Sequence, residues 1–213
     1  MMNSLEKQRF EVIRGTYPYI LELVNEGSKI LDLGCGEGHL MQLLQDVRHC
    51  HCQGVELNSN HVNECVKKGL FVYNDDLNTG LADYPDKRFD YVILSDVLQT
   101  LPDCRKTLLE ATRVGRRVIV TTPNFGNIFV RLQLLFTGKM PKNKSMPYEW
   151  YNTPNIHFSS FADFMELCRN NDITIEKAFY LAEQGDSQKM LRVLPNLRGN
   201  TAIYVVSREA RDE

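Results

Sequence analysis

Three glycines at alternate positions, Gly34, Gly36 and Gly38, follow a short apolar run in the stretch KILDLGCGEGHL, Lys29 to Leu40. A strand that enters such a turn can bring bare backbone against a ligand. The dinucleotide fingerprint G-x-G-x-x-G puts its third glycine one residue later than Gly38. The triphosphate loop needs Lys-Ser or Lys-Thr after its last glycine, whereas His39 and Leu40 follow Gly38. Both phosphate readings fail on spacing and residue type. What remains is D-x-G-x-G-x-G, with Asp32 inside the strand's end and Cys35 contributing only its backbone. An acid beside the loop repels phosphate and suits a ligand that carries an ammonium group.

Two further acidic positions extend that reading. Glu56 in GVELN lies 18 residues beyond Gly38, at the end of the next apolar run, with Leu57 after it. A carboxylate there can accept hydrogen bonds from both hydroxyls of a ribose. A third run ends in NDDL, where Asp75 and Asp76 can receive the exocyclic amine of adenine. S-adenosylmethionine (SAM) has an amino-acid end, a sulfonium and an adenosine, and it or its demethylated product meets all three demands. The bland alternative is a tight turn beside solvated strand ends.

For these residues to share one rim, the runs must be parallel strands whose carboxyl ends lie together. The pattern supplies them. KILDL, CQGVEL, LFVYN, FDYVILSDVL and RRVIVTT read as five strands. Helices are expected over Gly38–Asp46, Ser59–Lys68 (capped by Ser59 or Asn58) and Cys104–Arg113. Strands alternating with short helices imply βαβ units and a doubly wound α/β sheet. Leu5 to Val24 holds one or two helices expected to cover the sheet's edge. A helix over Phe161–Asn170, a strand ITIEKAFYL, a polar turn-rich segment and a last strand GNTAIYVVSRE complete the domain.

The 213 residues suit one domain, 1–213, and 43% hydrophobic with 24% charged residues is an ordinary globular composition. A net charge of −2 without a basic block argues against a nucleic-acid partner. No apolar run is long enough to span a bilayer, and the start MMNSLEKQRFEV lacks the apolar core of a signal peptide. The expectation is a cytoplasmic protein with its six cysteines reduced.

Between the fifth strand and Phe161 lies a long excursion, Pro123 to Ser160, with a short apolar helix expected over Ile128–Phe136. Its aromatics include Phe125, Phe129, Phe136, Tyr148, Trp150, Tyr151 and Phe158, flanked by Arg131, Lys139, Lys142 and Lys144. Three roles are open to it: a partner surface, a lid over the cleft, or core that merely wraps the domain.

Over Lys29 to Thr122 the chain resembles the class I SAM-dependent methyltransferases. That resemblance implies a three-layer α/β (Rossmann-like) sandwich with a seven-stranded, mostly parallel sheet and an antiparallel last strand. It carries Asp32, Gly34, Gly36 and Gly38 to the cofactor loop, Glu56 to the ribose, Asp76 to the adenine side and Ser95 to the wall of the methyl-transfer cleft. The turn after the fourth strand reads SDVLQTL and not [ND]-P-P-[YF], so nucleic-acid bases and glutamine amides are poor substrates. More specifically, RVGRRVIVTTPNFGN, RLQLLFTGKMPKNKSMPYEWYNTPNIHF and DFMELCR are similar to the MetW family of methionine biosynthesis. This implies a subunit that assists a homoserine O-acyltransferase (MetX-like). The alternative is an active methyltransferase on a small metabolite.

Other chemistry-bearing residues invite plainer readings. HCHC, His49 to Cys52, puts its side chains on opposite faces of a strand, two each, so one tetrahedral ion cannot collect all four. No metal is expected. Cys65, Cys104 and Cys168 fall on helices as small core residues. His157 in PNIHF is, with Ser95, a candidate for chemistry, against a structural hydrogen-bonding role. Trp150 in PYEWY can wall a substrate or anchor a core.

Overall fold

The computed structural model describes residues 15–79, 81–143, 146–184 and 187–209. Five parallel strands come first: β1 (Lys29–Leu33), β2 (His51–Glu56), β3 (Phe71–Asn74), β4 (Phe89–Ser95) and β5 (Gly115–Pro123). They are linked by α2 (His39–Arg48), α3 (Ser59–Lys67) and α4 (Cys104–Val114), and α1 (Tyr17–Leu23) precedes them. The excursion carries α5 (Ile128–Thr137). Then follow α6 (Phe161–Arg169), β6 (Thr174–Gln184), β7 (Ser187–Leu191), the one-turn α7 (Pro195–Arg198) and β8 (Thr201–Ser207).

The sheet order is β3-β2-β1-β4-β5-β8-β6-β7, with β8 antiparallel to both β5 and β6. The direction of winding reverses between β1 and β4, and a crevice opens there at the strands' carboxyl ends. The antiparallel last strand is as expected, but the sheet has eight strands rather than seven. The extra one, β7, forms a hairpin with β6 inside the segment read as turn-rich. Its sequence SQKML is short and polar, as edge strands often are, so apolar alternation gave no signal there.

Alternation along the central strands sorts the core into two layers. Leu31, Leu33, Val92, Leu94, Val118, Val120 and Tyr204 face Leu108 of α4 and Phe161 and Phe164 of α6. Ile30, Ile93, Ile119 and Ile203 face Leu40, Met41 and Leu44 of α2 and Ile20 of α1. α1 therefore packs on a face of the sheet and not along its edge. The part of the upstream helical expectation over 5–14, like Lys144, lies outside the described residues.

Local signals set the helix ends. Asn58, not Ser59, caps α3 by accepting from the Asn60 N–H, and Asp103 caps α4 by accepting from Lys106. Ser160 and Asp163 form a reciprocal capping box at α6. α2 has a glycine at its N-cap, Gly38, and starts one residue later than expected.

Candidate functional site

The loop between β1 and α2 is held from behind at five backbone groups. Val55 O accepts both the Gly34 N–H (2.8 Å) and the Cys35 N–H (3.2 Å). Gly36 donates its N–H to Glu56 Oε2 at 2.8 Å. Cys65 Sγ donates to Gly36 O at 3.2 Å, and Lys68 Nζ donates to Glu37 O at 2.7 Å. The loop is thus shaped before any ligand arrives, which lowers the entropy lost on binding.

All three glycines have left-handed backbone, φ +73°, +56° and +75° at Gly34, Gly36 and Gly38. Their surroundings differ. A Cβ on Gly34 would sit 2.6 Å from Val97 Cγ2, and one on Gly38 would collide with Leu70 and Cys65. On Gly36 a Cβ would meet nothing within 4 Å. Close approach to the protein's own side chains, not to a ligand, is what excludes side chains at the first and third positions. Gly36 is the one that leaves ligand space.

A cleft of about 300 Å³ opens in front of this loop. Of the expected residues it is lined by Asp32, Gly34, Cys35, Gly36 and Ser95. Asp32 is buried at the end of β1, while Ser95 Oγ is buried with no hydrogen-bond partner among the described residues. A buried hydroxyl without a partner is uncommon, and at a cleft wall it is suited to a polar ligand group. Burial, reinforced by the Asp32 charge, holds the Cys35 thiol far above its usual range. It stays protonated and is no nucleophile.

Glu56 stands one layer back. Its two oxygens accept the Gly36 and Asn58 N–H groups (2.8 and 2.9 Å), and His61 Nδ1 lies 3.6 Å away. A carboxylate has about four acceptor positions, so room remains for ribose hydroxyls. Gly38, Leu57, Asp75 and Asp76 do not line the cleft. Asp75 and Asp76 spend acceptors on their own turn, at the N–H groups of Asp76 and Asn78, and Leu57 is exposed. Neighbouring Asn74 fastens the rim instead, donating to the carbonyls of Glu56 and Leu57.

The cleft has lining that sequence reasoning missed: Tyr17, Glu37, Leu40 and His61, with His39 already noted only as the residue after Gly38. His61 had a legible signal, since it falls in the first turn of a helix whose cap adjoins Glu56. Tyr17 had none, because the packing of α1 beside the loop is a tertiary fact.

His157 does not line the cleft. Its Nε2 donates to Leu101 O at 2.9 Å and its backbone N–H to Gln99 O at 3.1 Å, so the ring fastens the excursion to the body. His49 ends α2 in left-handed backbone, Cys50 and Cys52 are buried, and His51 is exposed. Among the described residues no group of three or more His, Cys, Asp or Glu is placed to hold a metal. All six cysteines are free.

The excursion is fastened at both ends yet turns its apolar side outward. Asn124 and Asn127 donate to Gly199 O, and Phe125 packs on Phe158 with ring centroids 5.1 Å apart. Within α5 only Val130 is buried, while Phe129 and Phe136 are 76% and 79% exposed. Leu132, Leu135 and Met140 extend the same exposed surface, and Trp150 and Tyr151 add a second patch. α5 is therefore not a core helix. None of the described residues of 123–160 lines the cleft.

The sheet order, the two helical layers and the glycine loop define a class I SAM-methyltransferase fold. Solved structures agree. A SAM-dependent methyltransferase of Thermotoga maritima, described as a possible histamine N-methyltransferase, superposes with TM-score 0.68 at 17% identity, over 95% of this chain and 94% of that one. Magnesium protoporphyrin IX methyltransferase of Synechocystis with bound SAH gives 0.64 at 16%, over 98% and 89%. The chain belongs to the family described as methionine biosynthesis protein MetW, whose model matches residues 14–206. It is 35% identical over 203 residues to the bifunctional methionine biosynthesis protein MetXA/MetW of Rhodopirellula baltica. That match covers 90% of this chain but only 32% of the relative. Among the described residues no helix is long and apolar enough to cross a membrane.

Proposed function

We propose that this chain binds SAM or S-adenosylhomocysteine (SAH) in the glycine-loop cleft and assists a homoserine O-acyltransferase by direct contact in the cytoplasm. One observation carries the partner: a relative joins MetXA and MetW in a single polypeptide, and fusion keeps interacting units together. The exposed aromatic stripe of α5 and the Trp150–Tyr151 patch supply a surface of the required kind, since isolated domains rarely leave so many large apolar side chains in water. A lid is the weaker role, because none of the excursion's described residues lines the cleft.

The cleft's own groups fit the cofactor. Gly36 leaves open space, Asp32 is an acid suited to an ammonium group, and Ser95 Oγ lacks a partner among the described residues, while Glu56, one layer behind the cleft, has acceptor capacity for the ribose. Catalysis of methyl transfer to a small metabolite is the second reading. It is favoured by the same intact cleft, since in-line displacement draws most of its rate from positioning. Two measurements address the proposal. Calorimetric titration with SAM should give saturable heat, and Glu56→Ala should weaken binding by ~1.5–3 kcal/mol, the size of a hydrogen bond to a charged acceptor. A flat wild-type titration would sink the cofactor half. Co-purification with the acyltransferase of the same organism tests the other half, and two separately eluting proteins would count against it.

A further inference from the structure

The segment after β4 stands between the cleft and the excursion, and it is strained. Asp96 holds φ +56°, a left-handed conformation that non-glycine residues enter at a cost. Within the same five residues, Ser95 Oγ and Gln99 Oε1 are buried without hydrogen-bond partners among the described residues. Such outliers collect where a conformation is imposed by its surroundings and can be traded for another.

Each side of the segment touches one of the two functional surfaces. On the cleft side, Ser95 lines the wall, and Val97 packs so closely on Gly34 that a Cβ would lie 2.6 Å from it. On the far side, Gln99 O accepts the N–H groups of Ile156 (2.9 Å) and His157 (3.1 Å), and Leu101 O takes the His157 ring. The Gln99 side chain closes the connection by donating to Asp96 O at 2.9 Å. Asp96 is in turn pinned to β5, where its N–H and carboxylate both bond Thr121 Oγ1 at 2.9 Å.

We propose that residues 95–101 form a two-state strap coupling occupancy of the cleft to the shape of the aromatic surface at 148–158. The inference rests on the reading of the cleft as a SAM or SAH site. A ligand that gives Ser95 Oγ a partner and presses on the Gly34–Val97 contact favours a different setting of Asp96. The carbonyl of Gln99 moves with it, and Ile156 and His157 follow. The ligand shifts the strap only by binding its two settings unequally, and by linkage whatever docks on the aromatic surface changes ligand affinity by the same factor.

Trp150 is the sole tryptophan and is 73% exposed, so its fluorescence reports on this surface alone. The test titrates SAH into the full chain, following Trp150 emission and calorimetric heat in parallel. The emission should change and saturate along the calorimetric isotherm. Gln99→Ala removes the bond to Asp96 O but leaves the backbone carbonyl, so it should keep SAH binding and lose most of the emission change. Asp96→Gly relaxes the left-handed residue and should shift the unliganded emission toward the liganded value. Saturable heat with a flat Trp150 signal overturns the coupling while leaving the cofactor reading intact. A Gln99→Ala response as large as the native one overturns it too. Absence of heat in the native chain removes both.

Discussion

Gly36 and Gly38 are separated by one residue and answer to different constraints. Both have positive φ, so an alanine at either costs about 1–2 kcal/mol in backbone strain. Gly38→Ala also drives a methyl into Leu70 and Cys65, and it should unfold the chain at distinctly lower urea than Gly36→Ala. Gly36→Ala places its methyl in the space before the loop, so calorimetry should show affinity for SAM falling tenfold or more, about 1.4 kcal/mol beyond the strain. Equal affinity losses in the two variants, at matched stability, would contradict this division. The motif D-x-G-x-G-x-G was legible at Asp32, Gly34, Gly36 and Gly38, but the role of each glycine was not. Which neighbour fills the space beside a Cα depends on Val97 and Leu70, far away in sequence. Glu56 shows the same limit: spacing placed it on the rim, whereas its grip on the Gly36 N–H comes only from the pairing of β1 with β2.

Among elements, α5 reverses the usual arrangement of a surface helix, since Phe129, Leu132, Leu135 and Phe136 face water and Val130 faces inward. Replacing Phe129 and Phe136 together with serine should leave the urea midpoint almost unmoved, because exposed side chains typically contribute within about 0.5 kcal/mol. The same variant should fail to co-purify with the acyltransferase. A variant that unfolds readily would mean the stripe is core after all, and one that keeps the complex would move the docking surface elsewhere. The helix itself was legible from Ile128 to Phe136, and so were the parallel strands, whose buried runs such as FDYVILS are nearly unbroken. Outward orientation was not legible, because an apolar run has the same composition whether it packs on its own core or on a partner. β7 escaped for the opposite reason, being a strand stabilised by backbone pairing with β6 rather than by an apolar face.

The whole molecule holds its thiols neutral. Burial pushes Cys168 up to about 12 and also raises Cys35, Cys50, Cys52, Cys65 and Cys104. A thiol whose folded value is raised keeps its proton when the unfolded chain has lost it. Stability is therefore complete below the ordinary thiol value, about 8.5, and falls as pH rises from there toward the folded values. Lys87, lowered by burial, works in the opposite sense as a single group. In reducing buffer the urea midpoint should drop between roughly pH 9 and 11, and Cys168→Ala should shallow that drop. A midpoint that holds or rises over the interval would show that the thiols are not buried as described. At this scale the described residues form an α/β fold with a preformed cleft at the carboxyl ends of β1 and β4 and an uncovered aromatic surface on the excursion that follows β5, with residues 95–101 between them. The most direct test is turnover of the homoserine O-acyltransferase with and without an equimolar amount of this chain, with SAM consumption followed in the same mixture. Turnover should rise several-fold while SAM is not consumed; unchanged turnover together with steady conversion of SAM to SAH would contradict the accessory role and establish a methyltransferase instead.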